Sequence, residues 1–189
     1  MESEDSDSDT DTDKLIRLSG KVYSKSQDKE ELSIDITYDD QRIGYLNAVI
    51  MDVGSLKSGG FDDAKLECQD KEIEEELLTF YKSLSDVLET RVVFYITDFF
   101  LEKEYRGMGI GGDILNLLPE WLSTHFPEVD DLYLFPYPLE KNNGKVECVK
   151  DVNPKKLLEM RQKLISFYLN HGLRKTRTQF LYRPIRPVA

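Results

Sequence analysis

The feature that most constrains this chain is a glycine-dense turn between an apolar segment and an amphipathic one. Val92 to Leu101 is rich in β-branched and aromatic residues, which predicts a buried central strand. The strand leads directly into residues 106–112 (RGMGIGG), and residues 114–122 then follow a helical pattern that Pro119 should kink or shorten. Strand, turn and helix in this order predict an anion seat, because the turn amides and the helix N-terminus face the same point.

Three anion-binding patterns compete for this turn. A Walker P-loop requires Gly-Lys-Ser/Thr, but the turn ends Gly-Gly-Asp-Ile, which excludes it. The dinucleotide pattern G-x-G-x-x-G is satisfied from Gly107 to Gly112, with Asp130 or Asp131 near the expected distance downstream. Those aspartates are predicted to precede the next strand instead of ending it, and the turn follows three strands and a helix. A dinucleotide fold is therefore disfavoured.

The third pattern includes Arg106 and reads Arg-x-x-Gly-x-Gly after a hydrophobic strand. Residues 101–111 (LEKEYRGMGIG) resemble the strand end and pyrophosphate loop of the GNAT superfamily of acyl-CoA-dependent N-acetyltransferases. Residues 167–173 (FYLNHGL) are similar to the superfamily's Phe-Tyr-x-x-x-Gly-Phe segment. The two motifs stand in the family's order, and the resemblance covers roughly residues 90–183.

The resemblance implies a fold and a coenzyme site. The fold is α/β (α+β), with a mixed, mostly antiparallel central sheet, flanking helices and a V-shaped splay of two strands for coenzyme A. Pyrophosphate is expected on the turn and pantetheine on the backbone at the end of the central strand. The cofactor-binding residues are then Phe99, Phe100, Leu101, Arg106, Gly107, Met108, Gly109, Ile110, Gly111, Gly112 and Tyr168. Acetyl-CoA is the expected co-substrate. No metal is expected, because the two cysteines do not have the Cys-x-x-Cys spacing typical of metal ligands.

The implied reaction transfers an acetyl group to a primary amine of a small molecule, peptide or protein, by direct attack in a ternary complex. Tyr168 is, by motif position, the acid for the departing thiolate, with a core aromatic as the alternative. Asp98 on the central strand is the candidate base, with a plain hydrogen-bonding role as its alternative. His125 and His171 are predicted to be helix-end residues.

The chain also departs from the family pattern. Arg161 stands where the family often has an asparagine that contacts pantetheine, and Leu173 replaces the usual aromatic residue. The interval from Ser24 to Glu31 is too short for the usual pair of helices between the first two strands. The acceptor pocket therefore does not carry over from the family. A catalytically weak acyl-CoA-binding regulatory module stays open as the alternative function.

The remaining segments complete a provisional map of the chain. Strands are predicted at 15–23, 32–38, 43–53, 132–135 and 178–182, a hairpin turn at 39–42, loops at 54–60 and around 142–144, and helices at 72–89 and from Pro154 to a stop at Gly172. The first three strands are expected to form an antiparallel meander with the third nearest its centre.

Charge and hydropathy limit partners and location. The net charge is -11, and residues 1–13 carry seven acidic residues and no base, which predicts a disordered tail before a domain spanning 14–189. This charge disfavours nucleic acid as a partner. The sequence has no apolar run approaching the roughly 20 residues that cross a bilayer, so no membrane span is expected and a cytoplasmic or nuclear protein is the default. A homodimer is left open.

Overall fold

The structure, a computed structural model, describes residues 15–25, 29–52, 91–150, 152–177 and 179–186. The predicted acidic tail, the loop at 54–60 and the helix at 72–89 lie outside these residues. The described elements are β1 (Ile16–Lys25), β2 (Lys29–Tyr38), β3 (Gln41–Asp52), β4 (Val92–Leu101), α1 (Ile110–His125), β5 (Val129–Leu134), β6 (Leu139–Asn142), β7 (Lys145–Cys148), α2 (Pro154–Asn170), β8 (Arg174–Lys175) and β9 (Leu181–Pro184).

Seven of the described strands form one mixed sheet, in the order β1-β2-β3-β4-β5-β9-β8. β4 and β5 are parallel, whereas every other neighbouring pair in this sheet is antiparallel. β3 lies between β2 and β4, which confirms the predicted meander. A mostly antiparallel mixed sheet with flanking helices is the fold class that the resemblance implied, and that prediction is confirmed.

Two tight turns shape the antiparallel part. Asp39 and Asp40 both have positive φ (50° and 61°), the conformation of a two-residue hairpin turn, so the turn predicted at 39–42 is confirmed. Asn143 and Gly144 repeat this geometry (50° and 81°). The turn lies at the tip predicted at 142–144, and the loop around it contains two short strands, β6 and β7, that were not predicted.

The short connection between the first two strands is explained by direct pairing. Lys25 lies opposite Glu30 in an antiparallel register, so β1 and β2 are neighbours along the sheet. The predicted alternation in β2 is also realised, because Leu32, Ile34 and Ile36 are completely buried. With Phe94 of β4 and Ile114 of α1 they belong to the main hydrophobic cluster.

Pro119 was expected to kink or shorten the helix, but α1 continues past it to His125, so it is not shortened. Proline has no N–H, so it leaves the carbonyl of Leu115, four residues earlier, without its helical partner. Nη1 of Arg183 donates to this carbonyl oxygen at 3.0 Å. The same Nη1 lies 3.3 Å from the carbonyl oxygen of His171. Arg183 of β9 therefore replaces the lost helical hydrogen bond and joins α1 to the end of α2.

Asp130 and Asp131 lie inside β5, so the prediction that they precede the strand was wrong. The Asp130 carboxylate accepts the Val92 amide at 3.0 Å. Asp131 forms a bidentate ion pair with Arg91, with N–O distances of 2.5 and 2.9 Å. Burial raises the pKa of Asp131, and the Arg91 hydrogen bond opposes that shift. Both aspartates hold β4 to β5, which adds to the case against a dinucleotide fold.

The end of the chain differs from its prediction in detail. The last strand is Leu181–Pro184, later than the predicted 178–182, and a short strand, Arg174–Lys175, pairs with it. α2 begins at Pro154 as predicted, with the Asn153 side chain accepting the Lys155 amide at 2.9 Å. Leu158, in the second turn of α2, is 55% exposed, whereas Tyr168 near its end is buried.

Candidate active site

The candidate site begins where β4 extends beyond the end of β5. β4 pairs with β5 only from Val92 to Ile96, and β5 ends at Leu134. From Asp98 to Leu101, β4 continues to pair with β3. Among the described strands none pairs with the other edge of this last stretch. Its outward N–H and C=O groups are thus available to an extended ligand.

A β-bulge lies at the point where the strands separate. Asn47 of β3 is opposite Asp98, and the next residue, Ala48, is opposite Ile96, which leaves Thr97 as an extra residue. A bulge of this kind bends a strand and increases its twist. The bulge lies at the first residue beyond the pairing of β4 with β5.

The four glycines of the turn fall into two classes. Gly107 and Gly109 have φ of 78° and 84°, and a side chain added to either would meet nothing within 4 Å. They are required for backbone conformation. A Cβ on Gly111 would lie 3.2 Å from Cζ of Phe167, and one on Gly112 only 2.1 Å from Nε2 of His171. These two glycines allow the start of α1 to approach α2.

The turn presents unused backbone donors. The amides of Gly112 and Asp113 donate to the carbonyl of Gly109 at 2.9 and 3.1 Å, which closes the first turn of α1. In the described part of the chain, the amides of Gly109, Ile110 and Gly111 have no acceptor. With the positive end of the helix dipole, they form an anion seat.

Arg106 is held beside this seat by its own strand. Its Nε donates to the carbonyl oxygen of Leu101 at 2.8 Å, and its guanidinium carbon lies 5.1 Å from the centre of the Phe100 ring. The guanidinium is otherwise exposed. The Leu101 carbonyl, one of the predicted pantetheine partners, therefore already accepts one hydrogen bond.

A cavity of about 550 Å³ joins the free edge of β4, the glycine turn and α2. It is lined by Phe99, Phe100, Leu101, Tyr105, Arg106, Gly107, Gly109, Gly111, Gly112, Tyr137, Pro138, Leu139, Met160, Lys163, Leu164, Phe167, Tyr168 and His171. Nine of the predicted coenzyme residues are in this set. The two others are Met108, whose side chain is 56% exposed, and Ile110, whose side chain is in the core.

α2 contributes a stripe that the sequence reasoning missed. Residues 160, 163, 164, 167, 168 and 171 recur at helical spacing and all line the cavity. From the sequence, a role was assigned to Tyr168 as the acid and to His171 as a capping residue, and Phe167 was part of the second motif. The three- and four-residue spacing was visible there, but Lys163 is polar and interrupts the apolar pattern.

Tyr168 is the most unusual polar group of the cavity. It is 7% exposed, and burial raises the pKa of its phenol well above 10. Its ring contacts Phe167, but among the described residues its hydroxyl has no hydrogen-bond partner. A buried hydroxyl without a partner is costly, which points to a ligand group at this position.

Asp98 is half-buried and does not line the cavity. Its carboxylate accepts a hydrogen bond from Asn47 Nδ2 at 3.1 Å, and Thr97 Oγ1 lies 3.4 Å away. Its charge also contributes to raising the pKa of Tyr45 to about 12, although burial is the larger cause. Asp98 and Tyr168 are thus not brought together in one cavity.

The two histidines are helix-end residues, as predicted. His125 ends α1, and its ring stacks on Trp121 with 4.5 Å between centres. His171 follows the last residue of α2, with Nδ1 donating to the carbonyl of Phe167 at 2.7 Å. Its ring also lines the cavity, a role that the sequence reasoning did not anticipate.

Arg161 points away from the cavity. Its Nη2 donates to Oε1 of Gln179 at 2.7 Å, and its guanidinium carbon lies 4.9 Å from the centre of the Phe135 ring. Arg161 therefore contacts the segment between β5 and β9. It stands at the position where the GNAT superfamily often has an asparagine that binds pantetheine.

Within the described ranges, three or more His, Cys, Asp or Glu side chains nowhere gather as a metal site would require. Neither of the described helices combines the length and apolarity needed to cross a membrane.

Comparison with known proteins gives matches in structure only. No protein-family model and no curated protein sequence matches the chain. A crystal structure of Arabidopsis thaliana NAA60 with a bisubstrate analogue matches at 14% identity and a TM-score of 0.43, over 84% of this chain and 76% of that one. Arabidopsis thaliana NAA60 with acetyl-CoA matches at 15% identity and a TM-score of 0.40, over 77% and 64%. At these values the likeness concerns the fold alone.

Proposed function

We propose that this protein is an acetyl-CoA-dependent N-acetyltransferase of the GNAT type, which transfers an acetyl group to a primary amine of a small molecule, peptide or protein. The observation that carries the proposal is the buried hydroxyl of Tyr168, which has no hydrogen-bond partner among the described residues and faces a cavity that ends at an anion seat. These two groups fit the opposite ends of the reactive half of coenzyme A, a thioester and a diphosphate.

Each part of the cavity supports one part of this coenzyme. The amides of Gly109 to Gly111 suit a diphosphate, and the exposed guanidinium of Arg106 adds positive charge beside it. The outward edge of Phe99 to Leu101 suits the two amides of pantetheine, which would pair as an added strand. The stripe of α2 covers the opposite side of this groove.

The proposed reaction has two proton transfers. A neutral amine attacks the thioester carbonyl, and the sulfur leaves as a thiol after taking a proton from Tyr168. The phenol is protonated at neutral pH, as an acid requires, and burial raises its pKa further. The amine loses its proton to a base, for which Asp98 stays a prediction, with a water chain as the alternative route.

Substitution of Tyr168 by Phe tests the acid. Thiol release from acetyl-CoA is measured with a panel of amines, and coenzyme binding by calorimetry. We expect turnover to fall about 10²- to 10⁴-fold, with the dissociation constant of coenzyme A nearly unchanged. Tyr133→Phe is the matched control, since Tyr133 is equally buried but outside the cavity. Equal turnover in the Tyr168→Phe variant and wild type would remove the proposed acid.

The same assays test the alternatives. Tight coenzyme binding without thiol release for any amine would favour the acyl-CoA-binding regulatory module. Asp98→Asn keeps the hydrogen-bonding shape beside Asn47 and removes the base. A loss of turnover in this variant with unchanged stability supports Asp98 as base, and unchanged turnover supports the water chain.

A further inference from the structure

His171 places a ring nitrogen against the first turn of α1. Its Nδ1 donates to the carbonyl oxygen of Phe167 at 2.7 Å, so Nδ1 carries the proton of the neutral ring and Nε2 is the bare nitrogen. A Cβ on Gly112 would lie only 2.1 Å from this Nε2. The hydrogen bond to Phe167 therefore fixes the tautomer of the ring and directs Nε2 away from α2, towards α1.

Nε2 is left unpaired beside the anion seat. The ring is half-buried and packs against the Phe167 ring, with 4.6 Å between centres. Within the described part of the chain, Nε2 has no hydrogen-bond partner. The ring lines the same cavity as Gly109 and Gly111, whose amides belong to the seat. An anion on the seat would therefore have a ring nitrogen at its side as well as the backbone amides.

Two helix dipoles act on this ring in opposite directions. His171 follows the last residue of α2, where the dipole is negative, and lies beside the start of α1, where it is positive. A diphosphate on the seat adds negative charge and so favours the imidazolium form of the ring. Protonated Nε2 can donate to a phosphate oxygen, whereas bare Nε2 can only accept and would face that oxygen unfavourably.

Charged side chains surround the ring on every element that packs near it. Nη1 of Arg183 lies 3.3 Å from the His171 carbonyl oxygen. The others are Arg106 of the turn, Asp113 of α1, Glu159 and Lys163 of α2, and Arg174 and Lys175 of β8. Among these residue types, histidine is the one that ordinarily changes its charge between pH 5 and 8. A change of binding over this pH range therefore points to His171.

We propose that His171 is a further coenzyme-binding residue, which takes up one proton at Nε2 when the diphosphate binds and donates it in a hydrogen bond to a phosphate oxygen. The inference rests on the proposed function, whose cavity is marked independently by the buried hydroxyl of Tyr168. The proton comes from the solvent and returns to it when the coenzyme leaves. Coenzyme affinity is therefore coupled to pH and falls as the pH rises.

Calorimetry on the wild-type protein counts this proton. Coenzyme A is titrated at pH 7.5 in buffers of different ionisation enthalpy, and the dependence of the observed heat on the buffer gives the number of protons taken up. Dephospho-coenzyme A is titrated in the same way, because the 3′-phosphate of coenzyme A itself titrates near pH 6. We expect both ligands to take up a fraction of one proton. Binding without uptake for either ligand would contradict the proposal.

The pH dependence of affinity gives the second measurement. We expect the dissociation constant of dephospho-coenzyme A to be about tenfold larger at pH 8.5 than at pH 6, which is the effect of one charge-assisted hydrogen bond. His171→Gln keeps a donor at the end of the side chain but cannot titrate. Its proton uptake should vanish, and its dissociation constant should change by less than about twofold over the same range.

His125→Gln is the matched control. The chain has two histidines, and His125 lies at the other end of α1 from the seat. This variant should keep the full uptake and pH dependence. It also leaves His171 as the single histidine, so its NMR signal reports directly whether the ring becomes protonated when coenzyme A binds. This measurement needs no substitution of His171 and decides the question even if His171→Gln does not fold.

The outcomes separate this inference from the proposed function. If coenzyme A does not bind to the wild-type protein at any pH, both are wrong. If coenzyme A binds but the ring signal does not shift, or if His171→Gln keeps the wild-type uptake, the inference is overturned and the proposed function stands. A histidine that only packs against Phe167 and α1 would change stability when replaced, and would leave the pH dependence of binding as it is in the wild type.

Discussion

A methyl group at Gly112 would meet the imidazole of His171, and the size of that conflict can be worked from the structure. The added Cβ would lie 2.1 Å from Nε2, whereas ordinary contact begins at 3.4 Å, so the ring must retreat by about 1.3 Å. The ring is held by the Nδ1 hydrogen bond to Phe167. Its retreat strains or breaks this bond, and overpacking of this kind costs about 1–3 kcal/mol.

Helix propensity acts in the opposite direction. Gly112 lies in the first turn of α1, and alanine at a helical position is favoured over glycine by about 0.5–1 kcal/mol. Gly112→Ala should therefore destabilise the wild-type protein but stabilise the His171→Ala variant, where only the propensity remains. We expect an interaction free energy of about 1–3 kcal/mol between the two sites.

Urea unfolding of the four proteins of this cycle measures the interaction. Gly109→Ala provides the control, because Gly109 has a φ of 84° and nothing within 4 Å of an added Cβ. Its cost is that of a left-handed alanine, about 1–2 kcal/mol, and should not depend on residue 171. If Gly112→Ala costs the same with and without the imidazole, the two classes of glycine in this turn are not physically distinct.

Two more predictions concern stability. Arg183→Met should lower the free energy of unfolding by about 1 kcal/mol more in the wild type than in the Pro119→Ala variant. The alanine introduced in place of Pro119 has an N–H that restores the helical hydrogen bond to the Leu115 carbonyl, which Arg183 otherwise supplies. A thermal or urea double-mutant cycle measures the difference, and additive effects would contradict the prediction. The pKa of Tyr45 is raised from 10 to about 12, chiefly by burial and then by Asp98, so the fold favours the neutral phenol. The raised pKa therefore contributes to the free energy of unfolding below pH 10, and this contribution is lost as the pH rises towards 12. Tyr45→Phe should make the free energy of unfolding decline less steeply at alkaline pH. An unchanged slope would show that other groups cause the decline.

Local patterns predicted the elements that position the site. The apolar run from Val92 to Leu101 is β4 with the predicted bounds, and the glycine turn, α1 and the start of α2 follow in the expected order. These elements were predictable because their signals are short-range: β-branched residues, glycines at positive φ and a proline at a helix start.

The errors arose where a distant residue decides the outcome. Pro119 signals a helix break, but Arg183 of β9 satisfies the freed carbonyl. Asp131 is a poor strand residue by composition, but Arg91 pairs with it in β5. The cavity role of His171 depends on the absence of a side chain at Gly112, in another helix. None of these partners can be found from spacing along the chain.

The opening between β4 and β5 itself has a local cause. β5 has 6 residues against 10 in β4, and it is followed by Phe135-Pro136-Tyr137-Pro138. Proline has no amide N–H to donate to a ladder and is disfavoured inside sheets, so β5 is not expected to continue through this segment. Chain continuing past Leu134 in register would otherwise cover the edge of Asp98 to Leu101. The two prolines therefore end β5, the Thr97 bulge lies where its pairing with β4 stops, and the cavity borders the edge of β4 that is left uncovered.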